Sequence, residues 1–238
     1  MRLSPAAAYK ILYKTFGPQG WWPVTKRGKL SPEYAPGDYS AGSNRERFEI
    51  CAGAILTQNT AWKNVEKAIY NLNEAGILTP GGIRSAGQKR LAALIRPSGY
   101  FNQKAERLRN FAAYIRARRG GDLKIFFSRP AGIVREELLL LNGIGPETAD
   151  SMLLYAGGKP VFVVDAYTCR LVLRMGWLRD AGYDKAQKFF KDNLPASPKV
   201  YNEFHALIVA LGKDYCRKKP LCGSCPLREK CGKKGVRP

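Results

Sequence analysis

Acidic residues are scarce in this chain. Nineteen Asp plus Glu stand against 40 Lys plus Arg in 238 residues, a formal net charge of +21. The excess is spread along the sequence and not gathered in a tail, which makes a polyanion such as nucleic acid the expected partner. No apolar run approaches the ~20 residues needed to span a bilayer, so no membrane segment is expected. The opening MRLSPAAAYKIL has no basic segment followed by an apolar core and a cleavage site. Secretion is therefore not expected, and the chain reads as intracellular, in a prokaryote cytoplasmic at the nucleoid. Strand patterning is confined to KPVFVV, residues 159–164, too short to demand a sheet. Cysteines number six, too few in a chain of this length without export for a disulfide framework. Cys51 and Cys169 lie alone in apolar helical patterns and read as small buried side chains. The one histidine, His205, falls in the helix that leads to the remaining cysteines.

What is present is helical. Ser4-Pro5 places an N-cap and an N1 proline before AAAYKILYKTFG. Residues 18–44, rich in Pro, Gly and Ser, read as an irregular crossing segment. RERFEICAGAILTQNT and AWKNVEKAIYNLNEAG then repeat apolar residues at helical spacing, and Thr79-Pro80 opens a short helix. Asn102 is expected to cap QKAERLRNFAAYIRARRGG. Further helices follow from Pro130 to Cys216. The expected fold is all-α, with no internal repeat.

Two stretches carry chemistry. LLLLNGIGPETAD, residues 138–150, places a glycine–apolar–glycine turn before a proline at the start of a helix. The amides of Gly143, Ile144 and Gly145 are expected to point outward together as an anion site, the helix-hairpin-helix pattern that grips a DNA phosphate without reading sequence. A plain αα-hairpin is the alternative. One helix downstream, in VFVVDAYTCRL, Asp165 follows four apolar residues and precedes a helix, the position of an ordinary N-cap. CRKKPLCGSCPLREKC, residues 216–231, packs Cys216, Cys222, Cys225 and Cys231 among Lys and Arg. A disulfide knot, a zinc site and an iron–sulfur cluster are the candidate uses of four such thiols.

Together the LNGIGPETA hairpin, the VVDAYTCR aspartate, the upstream GAILTQNT and the terminal cysteines resemble the endonuclease III superfamily of DNA glycosylases, over about residues 40–231. The resemblance implies a six-helix barrel domain with the hairpin, residues 40–159. A second domain would come from both termini, 1–39 and 160–238, and carry a [4Fe-4S] loop at 216–231. DNA would lie across the groove between the two. The four cysteines would hold the cluster, with Arg217, Lys218 and Lys219 offering phosphates a basic surface. Five residues separate Cys216 from Cys222 where the family has six; the later spacings match, and zinc in a Cys₄ site is the alternative.

The same resemblance assigns roles. Members that cut the strand carry a lysine two residues after the second hairpin glycine; here that position is Glu147, which cannot form an imine. Glu147 is either part of the base pocket or a favourable charge in a first helical turn. Asp165 becomes the catalytic carboxylate. Trp21, Trp22, Pro23 and Phe48 match the aromatic base pocket of the subgroup that excises 3-methyladenine, against the alternative that adjacent tryptophans pack a core. Gln58, in LTQNT, matches the residue that fills the gap left by a flipped base, against a polar C-cap. The expected function is that of a monofunctional glycosylase for alkylated purines in double-stranded DNA, acting as a monomer. The alternatives are a glycosylase for oxidised, deaminated or mismatched bases, with or without lyase activity, and a non-catalytic DNA-binding protein.

Overall fold

A computed structural model of the chain describes residues 3–236. Among the described residues there are twelve α-helices and no strand longer than an isolated bridge, Val24 to Glu33. The all-α expectation holds. Phe162, Val163 and Val164 are buried, yet the KPVFVV segment runs without a strand partner. None of the described helices is long and apolar enough to cross a membrane.

The chain divides into two compact units. One comprises Trp22–Ala35 and Ser40–Lys159. It is built around α2 (Asn44–Leu56), entered through a capping box in which Ser43 Oγ accepts from the Glu46 amide and Glu46 returns to the Ser43 amide. From Phe48 to Leu56 every residue of α2 is buried. FEICAGAIL is apolar on all sides apart from Glu49, the pattern of a helix surrounded by protein. Around it lie α3 (Trp62–Glu74), α6 (Phe101–Arg119), α7 (Leu123–Ser128) and α9 (Pro146–Ser151), the last continuing as a π-helical turn, Met152–Ala156. Against α6 pack α4 (Pro80–Ser85) and α5 (Gln88–Leu94), and α8 (Ala131–Leu139) precedes the hairpin.

The exception in α2 has a specific use. Glu49 Oε1 accepts from the Thr25 amide at 2.7 Å and the Thr25 hydroxyl at 2.6 Å. This contact ties residues 22–35 to α2, whereas the sequence reading places them with the terminal segment 1–39. Burial raises the Glu49 pKa against the lowering effect of those bonds. The start of α6 also differs from expectation. Asn102 lies inside the first turn, and the N-cap is Tyr100, exposed and at φ +46, a left-handed conformation uncommon for a bulky side chain.

The other unit comprises the chain up to Trp21, Pro36–Tyr39 and the residues from Pro160 onward. Its helices are α1 (Pro5–Phe16), α10 (Ala166–Met175), α11 (Tyr183–Asn193) and α12 (Pro198–Asp214), with α12 packed on both α1 and α10. Phe162 stacks on Phe190 with ring centroids 4.1 Å apart, and Phe204 meets both edge-on. Buried Glu203 on α12 accepts from the Gln19 amide (2.8 Å) and the Tyr39 hydroxyl (2.7 Å). In each unit, then, one buried carboxylate fastens part of the irregular 17–39 region to a central helix.

Candidate functional site

The hairpin between α8 and α9 is anchored by Ile144, whose side chain is buried. Its amide donates to Leu141 O at 3.0 Å, so it is spent on the turn and does not point outward with its neighbours as the sequence suggests. The two glycines differ in what they require. Gly143 sits at φ +81, and a Cβ there would collide with the Arg107 side chain, so the protein itself demands glycine. Gly145, the N-cap of α9, has φ −91 and ψ 179, which any residue can adopt, and a Cβ there would meet nothing within 4 Å. Neither glycine amide has a backbone partner among the described residues. Arg135 grips the buried Asp150 through two bonds, 2.7 and 3.2 Å, fastening α8 to α9 behind the turn.

Glu147 occupies the first turn of α9 and is exposed. Gln58 follows the C-terminus of α2 and is half-buried. Its Nε2 donates to Gly143 O and to Thr148 Oγ1, each at 2.9 Å, and its Oε1 accepts from Arg107. It is therefore more than a C-cap, since it bonds across to the hairpin.

Trp22 is half-buried, with Trp62 and Tyr155 edge-on at 5.3 and 5.2 Å. Its indole lies where a side chain at residue 53 would be, so Gly53 on α2 makes room for it. Pro23 is buried beside it in sequence. Phe48 does not present a face: it is 1% exposed and stacked on Phe111 at 6.1 Å. The expectation that Phe48 offers a stacking surface is corrected to a core role, because α2 is enclosed on all sides. Trp21 belongs to the other unit, half-buried, with its carbonyl accepting from Asn202 Nδ2 at 2.8 Å.

In that second unit Asp165 does cap α10. Its Oδ1 accepts from the Thr168 amide (2.7 Å) and hydroxyl (2.8 Å). Its Oδ2 lies 3.6 Å from His205 Nε2 on α12, and the carboxylate side chain is 12% exposed. Burial alone would raise its pKa; His205 and the Thr168 bonds outweigh that and hold it below the ordinary aspartate value. The group is ionised at neutral pH, with one oxygen fixed by the helix and the other directed at His205. Sequence reasoning sets His205 aside as remote, since 40 residues separate it from Asp165; only the packing of α12 on α10 joins them.

Cys216, Cys222, Cys225 and Cys231 are free and half-buried. Among the described residues no three of His, Cys, Asp or Glu are set to hold a metal ion. The donor chemistry nonetheless suits a cluster. Burial raises the pKa of Cys225 and Cys231, and the charges of the other cysteines raise both further. A shared cationic core would displace the thiol protons and offset the repulsion among four sulfurs brought together. Backbone N–H groups already turn toward sulfur, from Leu227 to Cys225 and from Lys233 to Cys231 at 3.4 Å. Arg174 reaches Cys216 Sγ at 3.2 Å and the carbonyls of Arg217 and Lys218. Arg217, Lys218 and Lys219 are exposed.

The chain is similar to known DNA repair proteins. A Methanocaldococcus jannaschii protein named as a candidate DNA repair glycosylase is 43% identical over 94% of this chain and 93% of its own length. Endonuclease III of Sulfolobus acidocaldarius is 31% identical over 81% of this chain and 85% of its own. The crystal structure of the H. pylori 3-methyladenine DNA glycosylase bound to 1,N6-ethenoadenine superimposes with a TM-score of 0.71 at 29% identity, covering 89% of this chain and 98% of that one. The pattern of the HhH-GPD superfamily of base excision DNA repair proteins matches residues 52–196, and the chain belongs to that family, within the endonuclease III superfamily of DNA glycosylases.

Proposed function

We propose that this chain is a monofunctional DNA glycosylase that hydrolyses the N-glycosidic bond of flipped-out alkylated purines, such as 3-methyladenine, in duplex DNA. The observation that carries the proposal is Glu147 at the head of α9, where a strand-cleaving relative would need an amine. Without that amine, water is the attacking group. The similarity to a 3-methyladenine glycosylase bound to a modified adenine supports the choice of substrate.

In this mechanism Asp165 stabilises the sugar as positive charge builds on it. A carboxylate at about 4 Å in an effective dielectric near 20 contributes on the order of 4 kcal/mol, roughly a thousandfold in rate. Oδ1 is committed to capping α10, so Oδ2, shared with His205, is the atom left to meet the sugar charge and orient water. A 3-alkylpurine is already cationic and departs without a general acid. Half-exposed Trp22 recognises it, the cation favouring an aromatic face, with buried Pro23 and Phe48 supporting that unit from within. In this reading Glu147 contributes to base recognition from the first turn of α9. Gly143 and Gly145 grip the backbone, and Gln58 fills the gap. Cys216, Cys222, Cys225 and Cys231 would hold a [4Fe-4S] cluster, which when bound supplies structure to the basic loop and takes no part in bond cleavage.

The test is release of 3-methyladenine against uracil or thymine glycol from otherwise identical duplexes, with borohydride added in parallel. Preferential release of 3-methyladenine and no covalent adduct are expected. Faster release of a neutral base would favour the second reading, a glycosylase for oxidised or deaminated bases, which the similarity to endonuclease III makes the chief competitor.

A further inference from the structure

The mechanism leaves two cations on α6 unexplained. Lys104 is 1% exposed, and its ammonium donates to Leu56 O (2.8 Å), Thr60 Oγ1 (2.8 Å) and Ser98 O (2.7 Å). It thereby fixes both ends of the turn that carries Gln58. Burial, with the charge of Arg107 added, pushes the Lys104 pKa down to about 8. Arg107 itself makes no ion pair among the described residues. Two cations one helical turn apart with no counter-charge favour an incoming anion. Arg107 is half-buried, its stem lying against Gly143 and its guanidinium donating to Gln58 Oε1. Gln58 in turn donates to Gly143 O and Thr148 Oγ1. Arg107, Gln58 and the hairpin thus form one closed network.

We propose that Arg107 is a DNA-phosphate ligand that also holds Gln58 stowed against the hairpin, and that a backbone phosphate arriving there takes Arg107 from Gln58 and frees it to enter the duplex. Phosphate offers the guanidinium a full opposite charge and two oxygens for a bidentate pair, whereas Gln58 offers one neutral amide oxygen, so phosphate wins the exchange. Gripping the backbone and filling the gap become linked events. The inference rests on reading Gln58 as the gap-filling residue.

The test is the dissociation constant for an undamaged duplex and for one carrying an abasic-site analogue, measured across salt concentrations. Arg107→Met should lower the salt slope by about 0.9 on both duplexes, the share of a single neutralised phosphate. Gln58→Ala should change sign between them. On undamaged DNA, where there is no gap to fill, it should tighten binding about fivefold by removing the competitor for Arg107; on the abasic duplex it should weaken binding. Arg107→Lys keeps the charge and should keep the slope while abolishing the tightening, which separates the role from any loss of folding. A wild-type slope in Arg107→Met, or no tightening in Gln58→Ala, overturns the proposal. None of these measurements uses base excision, so a failure of the alkylpurine reading would appear separately in the release assay.

Discussion

Gly145 offers a clean separation of folding from binding. Replacing it with valine places a side chain where the protein has nothing within 4 Å, on a backbone at φ −91 that a β-branched residue tolerates. Losing glycine at an N-cap costs about 1 kcal/mol, and the lower entropy of the unfolded chain returns about 0.4–1 kcal/mol. The melting temperature should therefore move by no more than about 4 °C. Binding should respond very differently. A phosphate held by the hairpin amides receives hydrogen bonds to a charged group, worth about 1.5–3 kcal/mol, and a branched side chain bars the approach. The dissociation constant should rise roughly 10- to 100-fold. Because a phosphate contact carries no sequence information, the loss should be the same for damaged and undamaged duplexes. Fluorescence anisotropy on both, beside a thermal melt, gives the answer. Gly143→Ala is the contrast: at φ +81 and against Arg107 it should lose stability outright. Normal binding by Gly145→Val, or a loss confined to damaged DNA, would refute the hairpin as the phosphate anchor.

Further outcomes are expected at the other centres. Asp165→Asn preserves an N-cap of equal quality, so it should keep lesion binding and lose roughly 10²–10⁴ in single-turnover excision rate. Since the folded pKa of Asp165 is depressed, its contribution to stability is full above the ordinary carboxylate range and is lost as pH falls through the lowered value; acid titration of the Asn variant should lack that part of the loss. Trp22→Ala should impair excision of methylated purines while leaving affinity for an abasic duplex nearly intact, because no base then fills the pocket. Purified protein should be yellow-brown with iron and sulfide in near-equal amounts, and Cys225→Ser should lower both; stoichiometric zinc without iron in anaerobically prepared protein would overturn the cluster.

The amino-acid sequence by itself determined whatever depends on neighbours along the chain. Helix caps at Ser4 and Thr79 are decided within one turn, and the glycine–apolar–glycine hairpin and the cysteine spacings are equally local. Charge imbalance is a sum over residues and needs no fold. Tertiary structure decided everything that joins distant segments. Asp165 meets His205 only because α10 and α12 pack together, and no periodicity announces that pair. Gln58 reaches Gly143 and Thr148 across 85 and 90 residues. Phe48 reads as an available ring because sequence shows its chemistry and not its enclosure; burial is a property of what surrounds α2. Residues 22–35 join the α2 unit through Glu49, a carboxylate whose place in an apolar run carries no hint of its partner. Local torsions and capping bonds are fixed by a few adjacent side chains, whereas the packing of helices depends on how whole apolar surfaces close over one another.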